Sequence, residues 1–251
     1  MLNNYRALLD RIDDTIVELF SKRMDVIDYI AAYKRENHLD ALDPDRERVM
    51  MERLTAKVSE DRRDAVRVLF TVILSASKAQ QRFTNTNIVL IGMPGSGKTT
   101  VAKHLSSLLK RPIASTDEAV EARIGTTIET MFRTEGEAAF RAVEAEVVRA
   151  LSSVWGSIIA TGGGTILSEE NRAVLRNNSR IYYVRRPLET LDTAGRPLSQ
   201  GEGALEKLYE ERHTLYETFS DVQLDGDADF AETAKRIADE FRAHCSIKPL
   251  V

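Results

Sequence analysis

The stretch IVLIGMPGSGKTT, residues 88–100, decides the fold of the C-terminal part of the chain. Its four leading apolar residues predict a short buried strand, and the next eight fit the pattern G-x-x-x-x-G-K-[ST] before a helix begins. In such a loop, backbone N–H groups surround phosphate oxygens, the lysine reaches the β- and γ-phosphates, and the hydroxyl residue binds Mg²⁺. The motif therefore predicts a nucleoside triphosphate site made by Gly92, Gly95, Ser96, Gly97, Lys98, Thr99 and Thr100, with Thr99 as the ligand of Mg²⁺.

Further apolar runs follow this loop at the spacing of an α/β domain. Pro112–Ala114, Ser157–Ala160 and Ile181–Val184 predict strands, with helical stretches between them and a last helix from about 231 to 244. Strands that alternate with helices indicate a parallel sheet covered on both faces. We therefore expect a P-loop α/β domain over residues 85–251.

The residues before the loop predict a different kind of domain. The first 83 residues contain no glycine, and their only proline is Pro44. Apolar periodicity predicts three helices, over about 5–34, 44–58 and 63–82, with Asp43 as the N-cap of the second. A polar break at 84–87 separates this helical domain, residues 1–84, from the rest. The first helix is long for a globular domain, which favours packing against a partner chain.

Composition excludes several classes of protein. The 251 residues carry 35 Lys and Arg against 39 Asp and Glu, a net charge of −4, and 43% are hydrophobic. This composition is typical of a globular protein and gives no footprint for nucleic acid. No apolar run reaches the ~18 residues of a membrane span. The lone Cys245 and the lack of an apolar leader lead us to expect a cytoplasmic protein.

Several polar motifs follow the P-loop in a fixed order. Asp117 follows the second strand, F-x-x-x-G-E-x-x-F-R spans 132–141, and a triple glycine spans 162–164. Arg196-Pro-Leu and Arg212-x-x-Leu-Tyr come next. In this order and spacing, residues 87–241 resemble shikimate kinase.

The resemblance implies transfer of the γ-phosphate of ATP to the 3-hydroxyl of shikimate, with Lys98 and Asp117 as catalytic residues. It implies that Asp117 accepts hydrogen bonds from the substrate hydroxyls and that Arg141 and Arg212 bind its carboxylate, as bidentate arginines do. Gly162, Gly163 and Gly164 would let backbone N–H groups approach the substrate. Arg196 would come from a mobile lid and neutralise charge on the transferred phosphoryl group.

Three features depart from that family. The acidic residue usual two positions before Asp117 is Ser115, and the lid between Leu191 and Arg196 is several residues shorter. The arginine that stacks on adenine near the start of the lid has no counterpart. We therefore expect an active kinase with relaxed discrimination among purine nucleotides.

The first helix places cations on its apolar face. At 100° per residue, Arg23 and Lys34 share nearly one azimuth, among Ile27, Ile30 and other apolar residues. Because a buried cation is costly without an anion, this arrangement indicates an anion site, although long side chains can also reach water along apolar surface. Ser77 and Gln81 continue the inward stripe of the third helix, and the start of the second adds Asp43, Arg46 and Glu47.

With these residues in register, positions 2–82 resemble the all-helical chorismate mutase. All eight polar site positions have a match: Arg6, Arg23, Lys34, Asp43, Arg46, Glu47, Ser77 and Gln81. The resemblance implies a pericyclic conversion of chorismate to prephenate in which Arg6 and Arg23 bind carboxylates, Lys34 and Gln81 donate to the ether oxygen, and Glu47 accepts from the ring hydroxyl. It also implies an intertwined homodimer, in which Arg6 crosses to the partner's site.

The sequence is thus interpreted as a bifunctional enzyme of aromatic amino-acid biosynthesis, a chorismate mutase fused to a shikimate kinase, with chorismate, shikimate and ATP as its small-molecule partners. Three alternatives stay open. In the first, the helical domain is only a dimerisation or ligand-sensing module. In the second, it is an isochorismate pyruvate-lyase. In the third, the kinase acts on another polyol acid such as gluconate.

Overall fold

The computed structural model describes residues 1–37, 39, 43–191, 203–226 and 229–247. These residues form two compact units. One comprises Met1–Asn85 together with residues 245–247, and the other comprises Thr86–His244.

Three helices form the first unit: α1 (Leu2–Glu36), α2 (Pro44–Thr55) and α3 (Arg63–Asn85). The side chain of Asp43 caps α2 by accepting a hydrogen bond from the Arg46 backbone N–H at 3.0 Å, as the sequence predicted. The predicted end of α2 near Val58 is wrong by three residues. The N–H groups of Lys57 and Val58 bond carbonyls three residues back rather than four, so the helix tightens and stops at Thr55.

Helix α1 packs on α3 only through its C-terminal half. There Gln80 donates to both carboxylate oxygens of Asp28 at 3.1 and 3.2 Å, and Ala31, Ala76 and Ala79 are buried. Residues 2–22 of α1 are exposed, although they include a series of large apolar side chains: Leu2, Tyr5, Leu8, Leu9, Ile12, Ile16, Val17, Leu19 and Phe20. Exposed large apolar side chains grouped on one helix are typical of a surface that contacts a partner. Despite its 35 residues α1 is not apolar enough to cross a bilayer, and neither is any other helix among the described residues.

A five-stranded parallel sheet in the order β2-β3-β1-β4-β5 forms the centre of the second unit. Its strands are β1 (Asn87–Ile91), β2 (Ile113–Ser115), β3 (Ile158–Ala160), β4 (Ser179–Arg185) and β5 (Val222–Asp225). Central strand β1 pairs with β3 on one side and with β4 on the other, so that Val89 lies between Ile159 and Ile181. This sheet and the helical N-terminal region confirm the expected fold classes, while β5 was not among the predicted strands.

Helices connect successive strands of the sheet, and a last helix follows β5. They are α4 (Lys98–Leu109), α5 (Thr116–Ile124), α6 (Ile128–Thr134), α7 (Gly136–Ser152), α8 (Glu169–Arg176), α9 (Ala204–Phe219) and α10 (Phe230–Cys245). The strand order reverses beside β1, and ligands of open α/β sheets bind at the carboxyl ends of the strands at such a point. The loops after β1, β2 and β3 all emerge at that edge, which positions the P-loop, Asp117 and the triple glycine together.

Candidate active sites

The loop after β1 is a turn that only glycine can make at its key positions. Gly92, Gly95 and Gly97 have φ values of +149°, +82° and +82°, a region that other residues rarely adopt. A Cβ on Gly97 would lie 2.1 Å from Cε1 of Phe230, and one on Gly92 would lie 2.6 Å from the carbonyl oxygen of Val184. The backbone conformation and the close packing therefore both require the glycines of the motif.

Lys98 begins α4 and lies almost wholly inside the loop, at 7% exposure. Its Nζ donates hydrogen bonds to the carbonyl oxygens of Gly92 at 2.9 Å and Met93 at 2.8 Å. Two backbone carbonyls thus hold the ammonium group of Lys98 within the phosphate-binding loop.

A cavity of about 740 Å³ opens beside this loop. Its lining includes most of the residues predicted for the kinase site: Gly95, Gly97, Lys98, Thr99, Thr100, Asp117, Arg141, Gly162, Gly163, Gly164 and Arg212. Gly92 and the fully buried Ser96 shape the loop and do not line the cavity. A cavity of this size lies within the range of small-molecule and cofactor sites.

Each residue of the triple glycine faces a different part of this site. A Cβ on Gly162 would lie 2.5 Å from Oδ1 of Asp117, and one on Gly163 would lie 2.6 Å from the ring of Pro94. A Cβ on Gly164 would lie 2.7 Å from a terminal nitrogen of Arg141. The three glycines therefore let the carboxylate, the P-loop and the guanidinium group approach one backbone segment.

Asp117 lies in the first turn of α5, whose N-cap is Ser115. The Ser115 side chain accepts a long hydrogen bond from the Glu118 backbone N–H at 3.4 Å, so this position serves as a cap in this chain. Thr116 accepts a hydrogen bond from the Gly162 N–H at 2.7 Å, which ties the start of α5 to the triple glycine. Asp117 is consequently held at the cavity wall by its neighbours.

Arg141 is held in place by carboxylates on its own helix. It donates to Glu144 at 2.7 Å and to Glu137 at 3.0 Å, and Glu144 also accepts from the Thr165 hydroxyl at 2.7 Å. Burial opposes the charge of Arg141, but the ion pairs with Glu144 and Glu137 outweigh it and raise its pKa. Glu144 is only 2% exposed and was not among the predicted site residues. The signal that could have found it is its position three residues after Arg141 on α7.

Arg212 is 4% exposed, and its Nε has no hydrogen-bond partner in the described part of the chain. One helical turn later on α9, Tyr216 donates to the Gly163 carbonyl at 2.5 Å, which anchors α9 beside the triple glycine. A buried donor without a partner is costly, so Arg212 is well prepared for an anionic ligand. The predicted lid residue Arg196 lies outside the described residues.

The helical unit contains a smaller cavity of about 140 Å³ between its three helices. Seven of the eight predicted residues line it: Arg23, Lys34, Asp43, Arg46, Glu47, Ser77 and Gln81. Arg6 does not line it and is exposed about 26 Å from Arg23 along α1, at 1.5 Å per residue.

Arg23 is the best-defined cation of this cavity. Its guanidinium donates to the hydroxyl of Ser77, which is 4% exposed and in turn donates to the Ile73 carbonyl at 2.8 Å. Burial lowers the pKa of Arg23, as expected for a cation moved out of water before an anion arrives. Lys78, which sequence reasoning missed, also lines the cavity and pairs with Glu47 at 2.9 Å.

These geometries define the class of each unit. A P-loop lysine beside two arginines at the switch point of a parallel sheet is the arrangement of a P-loop kinase for a small acid. The shikimate kinase family model matches residues 94–242, and the chain belongs to that family. The chorismate mutase type II model matches residues 5–82, so the chain carries both enzyme domains, as the sequence predicted.

Individual relatives agree with this identification. The chain is 38% identical over 154 residues to the shikimate kinase of Burkholderia lata, covering 58% of this chain and 84% of that protein. A structure of shikimate kinase from Acinetobacter baumannii in complex with shikimate is 32% identical with a TM-score of 0.62, covering 66% of this chain and 98% of that one. The Aquifex aeolicus enzyme is 33% identical with a TM-score of 0.56, covering 64% and 99%.

Proposed function

We propose that the larger cavity phosphorylates the 3-hydroxyl of shikimate with ATP. The observation that carries this proposal is one cavity lined by Lys98, Asp117, Arg141 and Arg212. In it the carboxylate of shikimate pairs with the two arginines, while Asp117 accepts a hydrogen bond from the hydroxyl that attacks. Lys98 leaves its two carbonyl partners to stabilise negative charge on the β- and γ-phosphates.

The donor set at the loop fits ATP with Mg²⁺. Three glycines with positive φ shape the loop around a buried lysine that lines the cavity, and Thr99 lines the cavity in the first turn of α4. Among the described residues no cluster of three or more acidic, His or Cys side chains could hold a metal ion. Mg²⁺ in kinases is held largely by substrate phosphates and water, so one hydroxyl ligand from Thr99 is consistent with it. When bound, the ion neutralises charge on the phosphates.

Substrate choice tests this assignment. The purified chain is expected to release ADP with shikimate and not with gluconate, because gluconate lacks the ring that holds the hydroxyls at a fixed distance from the carboxylate. In the helical domain, loss of chorismate with formation of prephenate is expected, and isochorismate is expected to give no pyruvate. Release of ADP with gluconate and not with shikimate would make the kinase a gluconate kinase. Release of pyruvate from isochorismate, with chorismate unchanged, would make the helical domain an isochorismate pyruvate-lyase.

The kinase is expected to discriminate weakly between purine nucleotides. Because the sequence lacks the lid arginine that stacks on adenine in this family, base-specific binding contributes less. We expect kcat/KM for ATP and GTP to agree within about tenfold, or 1.4 kcal/mol. Steady-state kinetics with both nucleotides at saturating shikimate measure this ratio, and a strict preference for ATP would contradict the expectation.

We propose that the smaller cavity rearranges chorismate to prephenate. Arg23 binds a carboxylate, Lys34 and Gln81 donate to the ether oxygen, and Glu47 accepts from the ring hydroxyl. Asp43, Arg46 and Ser77 orient this shell, as the Arg23–Ser77 hydrogen bond and the Asp43 cap illustrate. The reaction needs a compact substrate conformation and stabilised charge on the ether oxygen, and positioned donors supply both.

We further propose that the helical domain forms a homodimer in which Arg6 completes the partner's site. The large apolar side chains exposed within residues 2–22 of α1 support this proposal, since they need a covering surface. The distance of about 26 Å from Arg6 to Arg23 along one straight helix also supports it, because no single site of this size spans that length.

Complementation between two inactive variants tests the shared site. Arg6→Ala and Lys34→Ala chains are each expected to lose mutase activity, because each lacks one ligand of every site. After mixing and exchange, half of the dimers are heterodimers with one intact site, so about a quarter of the wild-type activity should return. Differently tagged chains verify that subunits have exchanged. If the mixture stays inactive after verified exchange, Arg6 acts within its own chain.

A further inference from the structure

A lysine outside the predicted set lies at the edge of the helical cavity. Lys78 follows Ser77 on α3, and its Nζ lies 2.9 Å from Oε2 of Glu47 on α2. Both residues line the same cavity as Arg23, Lys34 and Gln81. The pair links α2 to α3 at the point where Glu47 faces the ligand.

We propose that Lys78 is a positioning residue that holds Glu47 for the substrate of the helical site. The proposal rests on the assignment of chorismate to this cavity. With Oε2 bound to Lys78, the carboxylate of Glu47 has a fixed orientation, and Oε1 is left to accept a hydrogen bond from the ring hydroxyl.

The stability of the fold does not account for this ion pair. The side chains of Lys78 and Glu47 are 38% and 31% exposed, and ion pairs with that degree of contact with water contribute little to folding. The effect of the pair is therefore expected in the ligand-binding properties of the cavity.

The charges of the cavity support the same role. Its described lining contains four cations, Arg23, Lys34, Arg46 and Lys78, and two carboxylates, Asp43 and Glu47. The surplus of two positive charges balances the two negative charges of a dicarboxylate ligand. Without Lys78 the surplus falls to one, and Glu47 becomes an unpaired carboxylate beside a dianion, which it repels.

This repulsion acts equally on the bound substrate and on the transition state, since both carry the same two carboxylates. Uniform effects of this kind raise KM and leave kcat nearly unchanged. In the full-length chain, Lys78→Met is expected to raise KM for chorismate about tenfold, with kcat within about twofold of the parent. Lys78→Arg keeps the charge and reach, so its KM is expected within about threefold of the parent.

A double-mutant cycle separates this role from a structural one. In a Glu47→Gln background, Lys78→Met is expected to change KM by less than about threefold, because no paired carboxylate remains. Equal increases in KM in both backgrounds, or an unchanged KM in the single variant, would overturn the proposal. Kinase turnover of each preparation and its helical circular dichroism report folding, and Lys78→Gln is read by the same criteria if Lys78→Met does not fold.

The parent chain separates the two levels of inference. A parent without chorismate turnover refutes the proposed function of the cavity and, with it, the role of Lys78. A parent with turnover and a Lys78→Met variant with the parent's KM refutes the role of Lys78 alone.

Discussion

Replacing Lys98 by Ala is expected to lower kcat/KM for shikimate phosphorylation by at least about 10³-fold, the usual cost of losing a preorganised group that stabilises transition-state charge. Lys98 is the one positively charged side chain in the motif G-x-x-x-x-G-K-[ST]. Its Nζ lies 2.8–2.9 Å from two carbonyl oxygens of the loop. Its loss removes the charge that faces the β- and γ-phosphates. Coupled measurement of ADP release with shikimate gives the comparison.

The matched control for this variant is Lys103→Ala. Lys103 lies on the same helix, α4, but is exposed and does not line the cavity. We expect its kinase activity within about twofold of the parent, since exposed substitutions away from a site have small effects. A Lys98→Ala enzyme that retains more than a tenth of the parent's kcat/KM would contradict the proposed phosphate site.

Replacing Lys34 by Ala is expected to lower mutase turnover by about 10³-fold while shikimate phosphorylation stays unchanged. Lys34 lines the helical cavity, where the proposed reaction develops negative charge on an ether oxygen. The rearrangement has no nucleophile or proton transfer, so catalysis depends on such electrostatic stabilisation, and the neutral Gln81 cannot replace the charge of Lys34. Absorbance of chorismate, followed in the same preparation that is assayed for kinase activity, measures the effect.

Lys57→Ala provides the corresponding control in the helical unit. Lys57 is exposed just after α2 and does not line the cavity. Its mutase activity is expected to match the parent within about twofold. Substantial mutase turnover in Lys34→Ala would show that the cavity is not the site of this reaction.

The residues of both candidate sites could be proposed from the sequence, because local patterns mark most of them. The P-loop is one continuous segment whose glycines are required by positive φ angles, so the motif and its position after a strand sufficed. Arg23 and Lys34 were placed on one face by helical periodicity alone, and the structure brings them to one cavity. Periodicity is set by the chain itself and does not depend on the neighbouring elements.

Features that depend on contacts between distant segments were not predictable in this way. Strand β5 (Val222–Asp225) alternates apolar and polar residues, with only Leu224 buried, so it carries no apolar run that would mark it in the sequence. Lys78 and Glu47 meet across two helices, and their 31-residue separation has no spacing signal. The ion pair between Arg141 and Glu144 is local, but its importance follows from burial, which the sequence does not reveal.

The central claim is that one chain carries two active sites for different steps. The most direct test is a paired assay of a single purified preparation of the full chain, for loss of chorismate with formation of prephenate and for shikimate-dependent release of ADP. We predict that both activities are present, that Lys34→Ala abolishes only the first, and that Lys98→Ala abolishes only the second. A parent chain that phosphorylates shikimate but leaves chorismate unchanged would contradict the account and leave the helical domain as a dimerisation or ligand-sensing module.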